Sequence, residues 1–517
     1  MKLSIGQKSD HVFIYKVVKY LTKELNKFFQ VGFKMYEKEE IISDYIKKEL
    51  SDVPNILNNE LSLNGKKFEY RKEFDFIKKY VDKFLEETTN NRYFALPGLR
   101  GVGKTTLLYQ TYEYLFKYKN IRPNQILFIS CENLNDVTDF KIIDVVKQFL
   151  ETYHNTTLRR LDKKIFLFID ESQYDKNWAL SGKLIFDKTK NIFMIFTGSS
   201  ALNLEYNADS ARRLIKQNIT PLNYNQHLKL KYKYDAYDIS DSLKKLIFTG
   251  NVEDAVEGEQ KINQDLVNIK NYTTTDWEEY LKYGGFPTSL FENDHHIICK
   301  NITGMVKKVI SQDMGNISSI TTDSQTYANR LLRFLALQKP GDLSQEKMGE
   351  YLGTSKGNIR NILDILEKTQ LIFHCEPHIA SPKRSMKSWE YFFATSSIKH
   401  ILTSSIGNLN SNKKSYLGIL LENLVASSLS YLSMEDESYF TLYYDPEIRG
   451  NVDFIIQREL QKAIPVEVSM GKKTKKQISS AIERYNADYG IIISNTTNTI
   501  EKRDNIIYLP PKTFSFM

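Results

Sequence analysis

One short segment limits the fold of this chain more than any other. Residues Gly98 to Thr105 read G-L-R-G-V-G-K-T; they follow the apolar run Tyr93 to Leu96 and open a helical pattern. Glycines let backbone N–H groups wrap closely around an anion, and the N-terminus of the following helix favours negative charge. A strand, a glycine-rich turn and a helix in this order predict a phosphate-binding loop in a parallel α/β fold.

The side chains of this loop have separate expected roles. Lys104 is expected to reach the β- and γ-phosphates, Thr105 to place a hydroxyl on Mg²⁺, and Thr106 to contact the α-phosphate. The sequence therefore predicts ATP and Mg²⁺ as cofactors. The remaining loop contacts to the nucleotide are expected from Gly98, Arg100, Gly101, Val102 and Gly103.

A second motif complements the loop. Residues Ile165 to Glu171 read I-F-L-F-I-D-E, an apolar run that ends in two carboxylates. A carboxylate at a strand end can hold Mg²⁺, and the next one can polarise the attacking water. We assign Asp170 to the metal and Glu171 to the catalytic base. A plain surface loop is the alternative, and the position of the motif after the phosphate loop argues against it.

Two polar segments follow the apolar run Ile192 to Phe196. T-G-S-S places Thr197 and Ser199 where a polar group can sense the γ-phosphate, although a simple turn would look the same. Arg212 and Arg213 lie where an arginine finger would act on the same or a neighbouring subunit. A solvated basic helix is the alternative. We choose Arg213 as the catalytic finger, which predicts a homo-oligomer.

Bulk composition adds limits rather than a function. The 517 residues are too many for one hydrophobic core. A net charge of +8, from 71 basic and 63 acidic residues, permits nucleic-acid binding without arguing for it. The three cysteines lie far apart, which argues against disulfides and cysteine zinc sites, and no apolar stretch reaches membrane-spanning length. We expect a cytoplasmic protein with no membrane contact.

Periodicity divides the chain further. Helical spacing at Val18 to Phe28 and Phe74 to Phe84 predicts a mostly helical start. A helix-turn-helix is expected from Ser344 to Thr369, followed by a strand. A separate α/β unit begins near Tyr416. The expected domains are a helical N-terminal extension (1–70), an ATPase core (71–230), a lid or helical connector (231–338), a winged-helix-like module (339–415) and the C-terminal α/β unit (416–517).

With Y-G-G-F-P at Tyr283 to Pro287 and T-P-L-N-Y at Thr220 to Tyr224, these motifs make the chain resemble a group of prokaryotic AAA-type P-loop ATPases. Members join a parallel-sheet ATPase core to a winged helix and a C-terminal restriction-endonuclease-like domain of the PD-(D/E)xK type. The resemblance covers about Arg71 to the C-terminus. It implies an ATP-hydrolysing enzyme with a nuclease-like α/β domain, and it implies nothing for the first 70 residues.

The resemblance also implies a second site. Glu422, Asp453 and Glu467 match the carboxylates that hold Mg²⁺ in nucleases of this fold. The expected lysine is absent, because Ser469 occupies its position, although Lys472 or Lys473 could reach in and Gln477 could assist. Three ordinary carboxylates at element ends are the alternative. Nuclease activity is therefore expected to be weak or absent.

Basic residues near these modules make DNA a candidate partner. A solvated lysine-rich surface is the alternative. We expect an ATPase whose nucleotide state controls a nuclease-like, DNA-binding module. The competing hypothesis is a slowly hydrolysing signalling switch or assembly scaffold with an inactive nuclease-like domain. The basic residues are Lys356, Arg360, Lys383, Arg384, Lys387 and the run Gly471 to Lys476.

Overall fold

A computed structural model describes most of the chain, in seven stretches: residues 37–199, 212–317, 322–338, 344–379, 388–407, 413–434 and 440–517. The predicted helix at Val18 to Phe28 lies outside these residues. So do the basic side chains of Lys383, Arg384 and Lys387.

The expected parallel sheet is confirmed. Its five strands are paired in parallel in the order β2-β3-β4-β1-β5. The first four are almost wholly buried, which explains their unbroken apolar runs, because a parallel sheet is covered on both faces. The strands are β1 Tyr93–Pro97, β2 Ile126–Ser130, β3 Ile165–Asp170, β4 Ile192–Gly198 and β5 Ile215–Lys216.

Helices cover both faces of this sheet. In Lys72–Glu86 the buried residues Phe74, Ile77, Val81 and Phe84 recur at helical spacing, as the sequence predicted. A short hairpin of Ser62–Leu63 and Lys66–Lys67 precedes it. The other helices of this part are 37–60, Lys104–Glu113, Cys131–Asn135, Ile142–His154 and Trp178–Lys188.

The connector is helical. The predicted core boundary at residue 230 falls inside its first helix, Tyr224–Tyr232. Near its end a π-helical turn, Val309–Asp313, continues directly from an α-helix and into the next one. The α-helices are Tyr224–Tyr232, Tyr237–Thr249, Glu253–Asn268, Asp276–Tyr283, His295–Lys308, Met314–Ile317 and Thr322–Leu337.

Two short helices form the expected helix-turn-helix. Gln345–Leu352 and Lys356–Lys368 each begin after a serine that accepts a backbone hydrogen bond, Ser344 from Lys347 N at 3.3 Å and Ser355 from Asn358 N at 3.1 Å. An antiparallel hairpin follows, built from β6 Ile372–Pro377 and β7 Glu390–Phe393. Two helices and a following hairpin are the elements that the sequence predicted for this part of the chain, and the winged-helix-like assignment stays a prediction.

The sequence suggested a separate C-terminal unit, but the strands of this unit belong to the same sheet as the preceding hairpin. Strand β8 pairs in parallel with β6, with Tyr443 opposite Glu376, so one eight-stranded sheet joins the hairpin to the C-terminal strands. Its order is β12-β13-β11-β10-β9-β8-β6-β7. The C-terminal strands are β8 Phe440–Tyr444, β9 Phe454–Arg458, β10 Ile464–Ser469, β11 Gly490–Ser494, β12 Glu501–Arg503 and β13 Ile506–Leu509.

Four helices pack around this sheet: Ser396–Ser404, Lys413–Ser433, Lys476–Arg484 and Pro511–Phe514. One apolar core includes residues of the first sheet, the connector and the helix-turn-helix. A second core joins connector helices to the C-terminal strands. The parts are therefore packed together rather than strung on linkers. Within the described stretches, no helix has the length and apolarity needed to cross a membrane.

Candidate functional site

The phosphate-binding loop is closely wound between β1 and the helix Lys104–Glu113. Gly101 and Gly103 have φ angles of +85° and +98°, a region that side chains with a Cβ rarely adopt. A Cβ on Gly98 would lie 2.3 Å from the backbone oxygen of Ile219. The loop therefore needs glycine at all three positions, which explains the motif and leaves a concave backbone surface for an anion.

Lys104 spans this loop. Its side chain is buried, and its Nζ donates hydrogen bonds to the carbonyl oxygens of Gly98 at 2.9 Å and Leu99 at 3.1 Å. An ammonium in this position places a full positive charge at the concave surface. That charge is what the β- and γ-phosphates of a nucleotide require.

Asp170 lies at the end of β3 between two hydroxyl groups. Thr105 Oγ1 donates to its Oδ2 at 2.8 Å, and Thr197 Oγ1 donates to its Oδ1. Burial raises the pKa of Asp170, and the neighbouring Glu171 raises it further, against the two hydroxyls and the Lys104 charge. A buried carboxylate beside a hydroxyl is a set of oxygen ligands that suits Mg²⁺. The expected Thr105 and Asp170 pair is thus brought together.

Glu171 is the first residue after β3 and has an unusual backbone. Its φ of +50° is left-handed, which is uncommon for a residue with a side chain and concentrates at functional sites. Gln173 Nε2 donates a hydrogen bond to Glu171 Oε2. The half-buried carboxylate is thereby held beside the buried Asp170, where a catalytic base is expected.

The structure adds a supporting network that the sequence did not indicate. Arg71 donates from Nη1 to the carbonyl oxygen of Val102 at 2.5 Å and from Nη2 to that of Thr220 at 3.0 Å. Its guanidinium pairs with Glu73, and both side chains are buried. Burial raises the pKa of Glu73, but the charges of Arg71 and Lys72 and the hydrogen bonds to the carboxylate together outweigh burial and lower the pKa. This buried ion pair thereby holds the backbone of the loop at Val102 next to that of Thr220.

Asp313 is a second residue that sequence analysis missed. Arg100, inside the loop, donates from Nη2 to Asp313 Oδ1 at 3.3 Å and from Nε to Oδ2 at 3.5 Å. Asp313 is 1% exposed and belongs to the π-helical turn of the connector. No motif spacing relates these two positions, so only the folded chain could reveal the pair.

The Y-G-G-F-P segment also meets the loop. A Cβ on Gly101 would lie 3.6 Å from the Phe286 ring, and one on Gly103 would lie 3.5 Å from Pro287 Cγ. Gly285 donates its backbone N–H to Ser397 Oγ at 3.0 Å, and its own Cβ would lie 2.3 Å from Thr395 Oγ1. The motif thus packs between the phosphate loop and the segment after β7.

A cavity of about 460 Å³ opens beside the loop. It is bounded on one side by Gly103 and Thr106 and on the other by apolar side chains of the short hairpin region and the connector. A cavity of this size next to a phosphate site can accept a nucleoside. Its apolar walls include Leu63, Phe68, Leu290 and Phe291.

Arg213 does not join this group. Its Nε donates to Asp187 Oδ1 at 2.8 Å, near the end of the helix Trp178–Lys188. Strand β5 starts at Ile215, which pairs with Phe94 near the start of β1. Arg213 therefore lies toward the edge of the sheet opposite the loop that follows Pro97. A finger acting on the same chain's loop does not fit this geometry.

In the C-terminal sheet, Asp453 and Glu467 lie together with Lys473. Lys473 Nζ pairs with Glu467 Oε1 and lies 3.4 Å from Gln477 Oε1, while Asp453 Oδ2 accepts from Val468 N at 2.6 Å. Burial raises the pKa of Asp453 to about 6. Burial, followed by the Asp453 charge, raises the pKa of Glu467 to about 7. Lys473, rather than Lys472, is therefore the lysine whose ammonium reaches these carboxylates.

Glu422 has a different neighbourhood. Burial lowers the pKa of Lys399 to about 8, and the Glu422 charge opposes that shift, which places this carboxylate near the helix Ser396–Ser404. Across the described residues, no three His, Cys, Asp or Glu side chains are grouped to hold one metal ion. The three-carboxylate cluster that the resemblance implied for Glu422, Asp453 and Glu467 is therefore corrected to a pair of carboxylates with a lysine.

Comparison with protein families identifies two segments. Residues 90–228 match the model of an AAA domain, and residues 274–408 match a domain of unknown function, DUF8612. The first match confirms the AAA-type expectation for the part of the chain that contains the phosphate loop and Asp170. The second spans the predicted boundary at residue 339 and includes both Y-G-G-F-P and the helix-turn-helix.

Whole-chain comparisons give two relatives from Methanocaldococcus jannaschii. The uncharacterized protein MJ1637 is 32% identical over 473 residues, covering 92% of this chain and 93% of the relative. The uncharacterized protein MJ1544 is 24% identical over 444 residues, covering 81% and 87%. Among solved structures, the Aeropyrum pernix ORC1 protein in complex with DNA aligns over 67% of this chain and 96% of its own, at 10% identity and a TM-score of 0.32. A likeness of that degree carries no functional argument.

Proposed function

Because this chain belongs to the same family as MJ1637 of Methanocaldococcus jannaschii and contains an AAA domain, we propose that it binds ATP with Mg²⁺ and hydrolyses it. The observation that carries the proposal is the contact of Asp170 with Thr105 and Thr197 beside the Lys104 ammonium. Three strand ends and the loop converge there, as phosphoryl transfer requires.

Each residue has a role that follows from its position. The loop backbone and Lys104 bind the phosphates, and Thr106 contacts the α-phosphate beside the nucleoside cavity. Thr105 and Asp170 would hold Mg²⁺, which neutralises phosphate charge when bound. Glu171 accepts a proton from the attacking water, and Thr197 keeps Asp170 oriented through its hydroxyl. Hydrolysis thus needs groups from the loop and helix that follow β1, from the end of β3 and from β4.

A steady-state assay tests the proposal. We expect the purified full chain to release phosphate from ATP with Mg²⁺, and Lys104→Ala to lose this activity because the phosphate charge is then poorly compensated. Lys164→Ala is a suitable control, since Lys164 caps the carbonyls of Phe84 and Leu85 away from the loop. Equal turnover in wild type and Lys104→Ala would contradict the proposal.

We further propose that the C-terminal sheet is a nuclease-like module that binds DNA but cuts it weakly or not at all. Ser469 stands where a catalytic lysine is expected, and the nearby Lys473 ammonium can supply that charge, which favours cleavage. The third carboxylate is missing from the group, which disfavours a metal site. The basic run at 471–476 lies beside this group and would contact phosphates.

Binding and cleavage of DNA can be separated. Full-length protein with Mg²⁺ or Mn²⁺ should retain labelled duplex in a salt-dependent manner and produce few cuts. Lys475→Ala together with Lys476→Ala should weaken retention without moving Glu467. Robust cleavage that disappears in Glu467→Ala and Lys473→Ala but persists in Lys472→Ala would contradict weak cutting and would make Lys473 catalytic.

A slow signalling switch remains the second candidate. The packing of Phe286 and Pro287 on the loop favours it, because nucleotide-dependent changes would reach the connector directly. A switch would hydrolyse slowly and change its oligomeric state with ATP. Mass measured by light scattering with ATP and with ADP, beside the turnover rate, decides between steady hydrolysis and switching.

A further inference from the structure

We propose that Asp313 is a positioning residue that ties Arg100 of the phosphate loop to the connector and so passes the state of the bound nucleotide to the helix-turn-helix. This inference rests on the proposed ATP site. It adds a named route from that site, which neither the AAA domain nor its motifs supply.

The contact is side-on and buried. Nε and Nη2 of Arg100 face the two carboxylate oxygens of Asp313, at 3.5 Å and 3.3 Å. Planar guanidinium and carboxylate groups in this arrangement fix each other's orientation as well as their distance. Arg100 is only slightly exposed and Asp313 is almost fully enclosed. Water therefore has little access to the pair and cannot readily replace either partner.

The pair also faces the reacting end of the loop. Burial lowers the pKa of Arg100, but the charges of Asp313 and Glu171 outweigh it and raise that pKa. Burial raises the pKa of Asp313 against the Arg100 charge, and Glu171 and Lys104 also act on this carboxylate. Because the charges of Glu171 and Lys104 both act on Asp313, this carboxylate lies near the expected position of the γ-phosphate.

A buried carboxylate cannot be left without its partner at low cost. Phosphate oxygens bound in the loop compete with Asp313 for the Arg100 guanidinium. If Arg100 turns toward phosphate, Asp313 must follow it, find another donor or take up a proton. The first response moves the connector, so occupancy of the loop and position of the connector become linked.

Asp313 is well placed to pass on such a movement. It ends the π-helical turn Val309–Asp313, an irregular helix geometry that is frequent at functional sites. The next helix, Met314–Ile317, begins immediately after it and contacts the helix Lys356–Lys368 of the helix-turn-helix. Met314 is fully buried in the core shared by these parts. Loop, connector and helix-turn-helix thus form one continuous contact path.

Amide hydrogen exchange of the full chain tests this route. In wild type, residues 309–317 should exchange at different rates with the non-hydrolysable analogue AMPPNP and with ADP, both with Mg²⁺. Asp313→Asn keeps the shape but removes the charge. It should abolish that difference and lower kcat about tenfold, because Arg100 is no longer held in place beside the reacting groups, while the affinity for ADP changes less than about twofold. Asp323→Asn, an exposed change on the next described helix, should behave as wild type.

A double-mutant cycle guards against simple misfolding. Arg100→Ala leaves a buried carboxylate alone, so its melting temperature should fall further than that of Asp313→Asn. The double variant should recover part of that loss without recovering kcat. Strictly additive effects, or an AMPPNP-versus-ADP exchange difference that survives in Asp313→Asn, would overturn the inference alone. A wild-type chain that responds to neither nucleotide would overturn the proposed ATP site as well.

Discussion

Two carboxylate sites in this molecule differ in how their charge is compensated. At the end of β3, Asp170 accepts hydrogen bonds from the hydroxyls of Thr105 and Thr197, one from the phosphate loop and one from β4. On β10, Glu467 pairs with Lys473 through one oxygen, and its other oxygen has no hydrogen-bond partner in the part of the chain that the structure describes. Both carboxylates are buried.

The difference concerns what each site still needs. Two neutral donors orient Asp170 without cancelling its charge, so the site still favours a cation such as Mg²⁺. Glu467 already has a cation, and its raised pKa of about 7 means that a proton can complete the compensation near neutral pH. We therefore expect metal and nucleotide to decide the behaviour of the first site, where burial also raises the pKa of Asp170, and a proton near neutral pH to decide that of the second.

Removing the Asp170 charge should have the largest effect. Asp170→Asn keeps the hydroxyl contacts in shape but lacks the anionic ligand for Mg²⁺, so turnover should fall by about two orders of magnitude. Phosphate release at saturating ATP is the measurement. Asp162→Asn, an exposed change before β3, is the control. If excess Mg²⁺ fully restored the turnover of Asp170→Asn, the role of Asp170 would be limited to raising the affinity for the metal.

At the second site, a pH series separates charge from packing. Glu467 binds its proton more tightly when folded, since its pKa is about 7 against an ordinary 4.5. Its contribution to stability is therefore present at low pH and is lost as pH rises from about 4.5 to about 7. Glu467→Gln should gain stability relative to wild type across that window, by about 1–3 kcal/mol. Denaturant unfolding at several pH values measures this.

The same pH series of unfolding measurements on Asp170→Asn provides the comparison for the first site. If Glu467→Gln shows a constant difference from wild type between pH 4.5 and 7, the Lys473 pair fully compensates the carboxylate. In that case the contrast between the two sites disappears.

Packing between the loop and the connector gives a further test. Gly285→Ala would place a Cβ 2.3 Å from Thr395 Oγ1, so we expect a stability loss of about 1–3 kcal/mol and weaker ATP binding through displaced Phe286. Gly304→Ala lies in the same connector with nothing within 4 Å of the new Cβ, and it should be neutral or stabilising. Thermal unfolding with and without ATP distinguishes the two variants.

Arg213 should give the smallest effect. It pairs with Asp187 at a partly exposed position, a contact worth little to stability. Arg213→Ala should change turnover less than about twofold within one chain. A loss of about a thousandfold, together with a concentration-dependent wild-type rate, would instead identify a finger that acts on a neighbouring subunit.

The sequence predicted local features well for a physical reason. Strands β1 to β4 are buried on both faces, so their apolar runs mark them almost to the residue. The loop was predictable because a left-handed φ and close backbone contacts require glycine at fixed spacing. The side chains of Lys104, Thr105 and Asp170 then follow from their places on these elements.

Long-range contacts were not predictable. The pairing of β8 with β6, the Arg100–Asp313 contact and the support from Arg71 each join segments far apart in the chain. The choice of Lys473 over Lys472 depends on the turn after β10, which spacing alone does not define. Arg213 shows the converse, because spacing along the chain did not reveal that it lies by Asp187, away from its own phosphate loop; only a finger acting on a neighbouring subunit stays a prediction.

The central claim, that one site binds ATP through Lys104 and cleaves it through Glu171, is tested most directly by a single turnover. Excess protein is mixed with radiolabelled ATP and Mg²⁺, and the nucleotide retained on the protein is identified after quenching. Wild type should convert ATP to ADP, Glu171→Gln should retain uncleaved ATP, and Lys104→Ala should retain neither. Cleavage by Glu171→Gln at the wild-type rate, or equal loss of ATP binding in both variants, would contradict the account.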